Sequence, residues 1–217
     1  MLYLTKNQSA VVIATCTVSR KGFDGLRKIL RTSSARKNIV HISKGNSIPW
    51  LKGKIWIVVK GLIQLRAVTF EGNELILGFL GPNQVFGEPF SLMDHCRPFA
   101  LVDCELLLLP FEEAYNSPTL ALAILESLSL RHRSTELNLA ILLEKTVEEK
   151  VKAFFELIAT DFGHPVEEGL MIDFKITHQD IANALGVTRV TITRILSQLQ
   201  KTGWLKKIEG VFFVIAF

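Results

Sequence analysis

Four residues in one short stretch carry chemistry suited to reading DNA: Arg189, Thr191, Thr193 and Arg194, within ITHQDIANALGVTRVTITRILSQL, residues 176–199. An arginine can donate two parallel bonds to guanine O6 and N7, and threonine or valine can meet a thymine methyl group, which adds Val190 to the set. Thr177, His178, Gln179 and Thr188 stand where helices should start. Free N–H groups and hydroxyls at such starts hold phosphates. The chemistry is recognition, with no bond made or broken.

Two helices and a tight turn must position these groups. Thr177 is suited to cap the first helix. Asp180 follows three residues on, where an acid favours the positive end of the helix dipole, although a capping box more often uses Glu or Gln. Ile181, Ala184 and Leu185 give one apolar face, and Ala182 is small enough for close packing. Gly186 suits a left-handed helix end. Thr188 caps the second helix, whose apolar residues are Val190, Ile192, Ile195, Leu196 and Leu199. Together they read as a helix-turn-helix, whose second helix enters the major groove. A plain two-helix corner is the bland alternative. Gly203 ends the second helix. Trp204–Ile208 and Val211–Ile215 then read as strands around a Glu209-Gly210 turn, a wing carrying Lys206 and Lys207. The strand Leu170–Phe174 would complete a small sheet.

The remaining sequence narrows the function. The chain has 217 residues, 48% of them hydrophobic, and a net charge of +4, enough for two modest domains and only mildly basic. Positive charge gathers after Lys175 (Arg189, Arg194, Lys201, Lys206, Lys207), as binding to phosphates requires. Cys16, Cys96 and Cys104 form no C-x-x-C pair, and three cysteines make no disulfide framework or four-thiolate iron–sulfur site. The histidines at 41, 95, 132, 164 and 178 show no metal spacing. No nucleophile elbow or phosphate-binding glycine loop appears, so an enzyme is not expected. Ala10–Val18 is a short apolar run read as a strand or helix rather than a signal peptide. No segment reaches membrane-spanning length without charges.

Upstream, Ile55–Val59, Leu62–Val68, Glu74–Leu80 and Leu101–Leu109 read as strands broken by glycine turns, the mark of a barrel or jelly roll. A helix is expected over 119–145, where Leu130, Leu137 and Ile141 have coiled-coil spacing. Residues 1–44 carry nine Lys or Arg against Asp24 alone. That is a solvated basic surface, or a secondary DNA contact.

The run from Asp161 to Leu196 resembles the DNA-binding domain of the cyclic-AMP receptor/FNR superfamily. Within it, it is similar to the global nitrogen-regulator branch of cyanobacteria and red-algal plastids. Asp161-Phe162-Gly163, Ile172-Asp173-Phe174-Lys175, Thr188-Arg189-Val190-Thr191 and Thr193-Arg194 carry the likeness. Lys60-Gly61, Glu71-Gly72 and Phe86-Gly87-Glu88 resemble turns of the superfamily's β-roll. The resemblance implies an α+β fold: a cyclic-nucleotide-binding-like β-roll with its N-terminal segment over 1–118, a dimerisation helix over 119–145 and a winged helix-turn-helix over 146–217. It implies a homodimeric, non-enzymatic transcription regulator, an activator of nitrogen genes, working with RNA polymerase in a bacterial cytoplasm or plastid stroma. Val190, where the cyclic-AMP receptor usually has Glu, points to GTA…TAC palindromes. No cofactor is implied beyond a possible allosteric effector, 2-oxoglutarate, with Phe86, Gly87, Glu88, Arg97, Arg131 and Glu136 at matching positions. A ligand-independent or cyclic-nucleotide-type regulator of the same superfamily is the alternative.

Overall fold

The structure is a computed structural model and describes residues 38–69, 71–72, 74–92, 96–167, 169–208 and 210–214. These residues form two compact units, one ending at Thr135 and the other starting at Glu136. The Ala10–Val18 run and all basic residues before Lys44 lie outside the described residues.

The first unit is a two-sheet roll. Strands β1 (Ile39–Ile42), β2 (Lys54–Lys60), β5 (Val85–Gly87) and β7 (Cys104–Pro110) form one antiparallel sheet in the order β1-β7-β2-β5. Strands β3 (Ile63–Val68), β4 (Glu74–Leu80) and β6 (Cys96–Ala100) form the other, with β3 in the centre. Side chains alternate across each strand, so Ile63, Leu65 and Ala67 turn inward. They meet Trp56, Val58, Phe86, Cys96, Ala100 and Leu106 in one core. The other face of the first sheet carries Ile55, Ile57, Val85 and Leu107 and packs on Leu120, Ala123 and Ile124. Strand β2 is thus covered on both sides, which explains why IWIVV is apolar without alternation. Each aliphatic side chain buried there contributes about 1.5–3 kcal/mol.

The expected strand Leu101–Leu109 is corrected. Leu101, Val102 and Asp103 make a turn between β6 and β7, because the chain leaves one sheet for the other at that point. The turn is fixed by Leu101 N–H donating to Leu62 O at 2.9 Å and by the Asp103 carboxylate accepting from Lys44 N–H at 2.8 Å.

A short helix α1 (Glu113–Asn116) leads into the long helix α2 (Pro118–Leu142). Its Leu120, Ala123 and Ile124 rest on the roll, and the buried Ser127 hydroxyl accepts from Val85 N–H at 2.8 Å. The seam read from the sequence shifts. Ile141 is only 3% exposed, whereas Leu122 and Leu125 in the first unit, and Leu139 in the second, are exposed. Leucines stand on several faces of this helix, so spacing alone could not choose between rows.

The second unit adds two elements not expected from the sequence. Helix α3 (Val147–Phe162) starts in a Thr146/Glu149 capping box. Strand β8 (His164–Val166) pairs with β9 (Gly169–Ile172). Helices α4 (His178–Leu185) and α5 (Arg189–Lys201) follow, then the hairpin β10 (Leu205–Ile208) and β11 (Val211–Val214). The sheet order is β10-β11-β9-β8, so the strand before the helices does close the wing sheet. It ends at Ile172, two residues short of the expected Phe174. Phe155 of α3 packs edge-on to Phe212 of β11, with ring centroids 5.0 Å apart. The hairpin connection is residues 209–210, of which Glu209 is outside the described residues.

Candidate nucleic-acid interface

Local bonds set helix α4. Thr177 Oγ1 accepts from Asp180 N–H at 3.0 Å, and Asp180 Oδ2 accepts from Thr177 N–H at 3.0 Å and from its hydroxyl at 2.6 Å. Asp therefore completes a capping box where Glu or Gln is commoner. Gly186 ends the helix at φ +64°, the left-handed conformation that Gly adopts without strain. Thr188 caps α5 by accepting from Thr191 N–H at 3.2 Å. The turn is thus written in residues 177–191.

Helix α5 divides by burial. Ile192, Ile195, Leu196 and Leu199 are inside, while Arg189, Val190, Thr193 and Arg194 are exposed. Val190 is 80% exposed, so this apolar residue contributes little to the core and is displayed to solvent. Thr191 is half-buried, and its hydroxyl bonds to that of Thr188 at 2.9 Å. The far end of α5 is tied down by Gln198, which donates to Glu148 of α3 at 3.0 Å, while Glu148 also pairs with Lys152 at 2.7 Å. Sequence spacing did not show that clamp, because its partners are 50 residues apart.

At the start of α4, His178 Nδ1 lies 2.9 Å from Thr193 Oγ1. Partial burial, with the positive charges of Lys207 and Arg189, holds the His178 pKa below its ordinary value. Gln179 is exposed and donates to Asn183 at 2.7 Å. On the wing, Lys206 and Lys207 are both exposed, with Lys207 Nζ 5.0 Å from the Phe212 ring centre. The nine residues singled out for DNA therefore gather on two helix starts and one helix face. Such a surface offers guanidinium donors, one apolar tip and hydroxyls to a duplex groove.

The six residues matched to an effector pocket are spread differently. Phe86 is fully buried in the roll core. Gly87 has φ +154°, and a Cβ there would strike the Lys54 carbonyl oxygen. The Glu88 carboxylate accepts from Gly53 N–H at 3.2 Å, so one of its oxygens is already engaged. Arg97 is exposed and pairs across strands with Arg66, on the sheet face opposite Cys96 and Pro98. Arg131 on α2 is half-buried, and its Nη1 is buried with no hydrogen-bond partner among the described residues. Burial lowers its pKa, with Cys96 acting in the opposite sense. Glu136 is exposed and belongs to the second unit. Among the described residues no group of His, Cys, Asp and Glu could hold a metal, and no helix is long and apolar enough to cross a membrane.

Comparison with known proteins matches this geometry. Residues 149–215 fit the Crp-like helix-turn-helix domain, and residues 51–116 fit the cyclic nucleotide-binding domain. The chain is 34% identical over 158 residues to the global nitrogen regulator of Synechocystis sp., covering 68% of this chain and 70% of that protein. It is 32% identical over 176 residues to the regulatory protein CysR of Synechococcus elongatus, covering 80% and 82%. A CRP/FNR-family transcriptional regulator from Thermus thermophilus superposes with TM-score 0.67 at 26% identity, covering 82% of this chain and 93% of that one. A c-di-GMP-responsive global regulator from Xanthomonas campestris shares the fold at TM-score 0.70 and 18% identity, covering 89% and 99%. The chain belongs to the cyclic-AMP receptor/FNR superfamily of DNA-binding transcription regulators, which are not enzymes, and has cyanobacterial global nitrogen regulators among its relatives.

Proposed function

We propose that this protein is a nitrogen-status regulator that reads GTA…TAC-type palindromes as a homodimer and activates transcription with RNA polymerase, in a bacterial cytoplasm or plastid stroma. The exposed row Arg189, Val190, Thr193 and Arg194 carries the reading. Arg189 and Arg194 donate to guanine or phosphate, and Val190 packs on a thymine methyl. Thr177, His178, Gln179, Thr188 and Thr191 lie at the helix starts, where backbone phosphates pass. Two half-sites one helical turn apart need two copies of α5, and the exposed Leu122 and Leu125 of α2, three residues apart as in a coiled-coil seam, offer a pairing surface for a second copy.

The effector in this reading is a small anion, 2-oxoglutarate, held by Arg131. Its buried Nη1, which has no hydrogen-bond partner among the described residues, supports that assignment, because a charged N–H out of water needs an anionic or acceptor partner. The ligand acts by binding one arrangement of the dimer better than another. One oxygen of Glu88 is engaged by Gly53, and Arg97 lies on the outer sheet face. These two observations favour a second reading, a regulator of the same superfamily that needs no ligand.

Fluorescence anisotropy separates the two. A duplex with GTA and TAC half-sites is compared with a scrambled duplex, with and without 2-oxoglutarate. Specific binding tightened by the ligand is the expected result. Specific binding indifferent to the ligand supports the second reading, and no preference between duplexes refutes both.

A further inference from the structure

His178 is placed to do more than touch DNA. The Thr193 hydroxyl has one proton and donates it to the Arg189 carbonyl oxygen at 3.0 Å. Its oxygen is then the acceptor for His178 Nδ1–H at 2.9 Å. The proton of the neutral ring therefore sits on Nδ1, and Nε2 carries a lone pair. A lone pair repels a phosphate oxygen, whereas a protonated Nε2–H donates to it.

We propose that His178 makes DNA binding proton-linked: charged, it donates through Nε2 to a backbone phosphate, and neutral, it gives no such bond. This rests on the reading that the α4–α5 face meets DNA. The geometry supports it because Thr193, the residue that orients the ring, belongs to the exposed row of α5 with Arg189 and Arg194.

The charges around the ring set the direction. Lys207 of β10 and Arg189 of α5 act on it, and both oppose its protonation, as does its partial burial. On its own helix the Asp180 carboxylate is engaged in the Thr177 cap. In the free protein the ring is thus held neutral to lower pH than an ordinary histidine. A phosphate neutralises Lys207 and Arg189 and attracts the imidazolium, which raises the pKa in the complex. Binding takes up a proton. Affinity rises as pH falls through the bound value and levels off below the free one. An opposite charge close by moves a pKa by about one unit or more, so affinity changes by about tenfold per half-site.

The test is anisotropy of the full chain from about pH 8 to about pH 5.5 at fixed ionic strength, across the range in which histidine titrates. Wild type, H178Q and H178R are compared on the palindromic and scrambled duplexes. Wild-type affinity should rise by about tenfold per half-site toward acid. H178Q, which keeps a donor to Thr193, should lack this rise, and H178R should stay near the acid level throughout. The same pH slope in wild type and H178Q overturns the proposal while leaving the DNA reading intact. If no protein prefers the palindrome at any pH, the DNA reading itself falls, and the proposal with it. H178R keeps the test decisive should H178Q misfold.

Discussion

Val190→Glu should separate folding from recognition at one position. Val190 is 80% exposed, so replacing it removes almost no buried area, and a surface change of this kind stays within about 0.5 kcal/mol. It is the second residue of α5, whose helix starts at Arg189. An acid there meets the positive end of the helix and gains about 0.3–1 kcal/mol. Stability should therefore hold or rise slightly. Binding moves the other way. Valine offers only an apolar contact to a thymine methyl, whereas glutamate accepts from cytosine N4, a difference of about 1–3 kcal/mol per base pair. Two half-sites contribute roughly additively, so the shift between a GTA…TAC palindrome and its cytosine-bearing counterpart should reach about 2–6 kcal/mol. Anisotropy on the two duplexes measures the preference. Urea unfolding followed through Trp204, with Trp50 and Trp56 replaced by Phe, measures the stability of the second unit. Unchanged preference with an intact fold would mean that Val190 does not reach the bases. Loss of the fold would mean that its exposure has been misjudged.

Three further outcomes follow from the same geometry. Thr177→Ala removes the acceptor for Asp180 N–H and a donor to a carboxylate in a residue only 8% exposed. It should cost about 2 kcal/mol in the Trp204-monitored unfolding, and Thr177→Ser should restore most of it. Lys206→Ala and Lys207→Ala should each lower the salt dependence of binding by about 0.9 in log–log slope per contact, equally on specific and scrambled duplexes. Arg131→Met replaces a half-buried cation, whose Nη1 has no hydrogen-bond partner among the described residues, by an apolar side chain. Thermal unfolding of the roll, followed through Trp56, should show unchanged or greater stability by about 1–4 kcal/mol, with any response to 2-oxoglutarate abolished. A destabilised roll in that variant would mean that Arg131 has a structural partner.

The helix-turn-helix was legible because its determinants are local. Thr177, Asp180, Gly186 and Thr188 act within a few residues of where they stand, and the caps form the bonds their types suggest. The structure adds a distinction that periodicity blurred. Apolar periodicity alone grouped Val190 with the core residues of α5, whereas it stands outside, as its assignment to a base contact requires, while Ile192, Ile195 and Leu196 go in. The roll was legible only where strands are apolar and bounded by glycine. Strand β6 was missed because Cys96-Arg97-Pro98-Phe99-Ala100 has no strand-like run of its own. Its place is fixed by pairing with β3, Leu65 opposite Pro98.

The candidate effector site depends wholly on such pairing. On a strand, a shift of one residue exchanges the inner face for the outer. Register puts Cys96 and Pro98 with the core and turns Arg97 outward to face Arg66. A motif match preserves residue type and order but carries no register, so the sequence could not show which way Arg97 or Arg131 turns. The fold separates them. Arg97 is exposed to solvent, whereas Arg131 is half-buried and its Nη1 is shut off from solvent with no hydrogen-bond partner among the described residues. Only the second incurs a desolvation cost that an anion would relieve, so the test of ligand response belongs at Arg131.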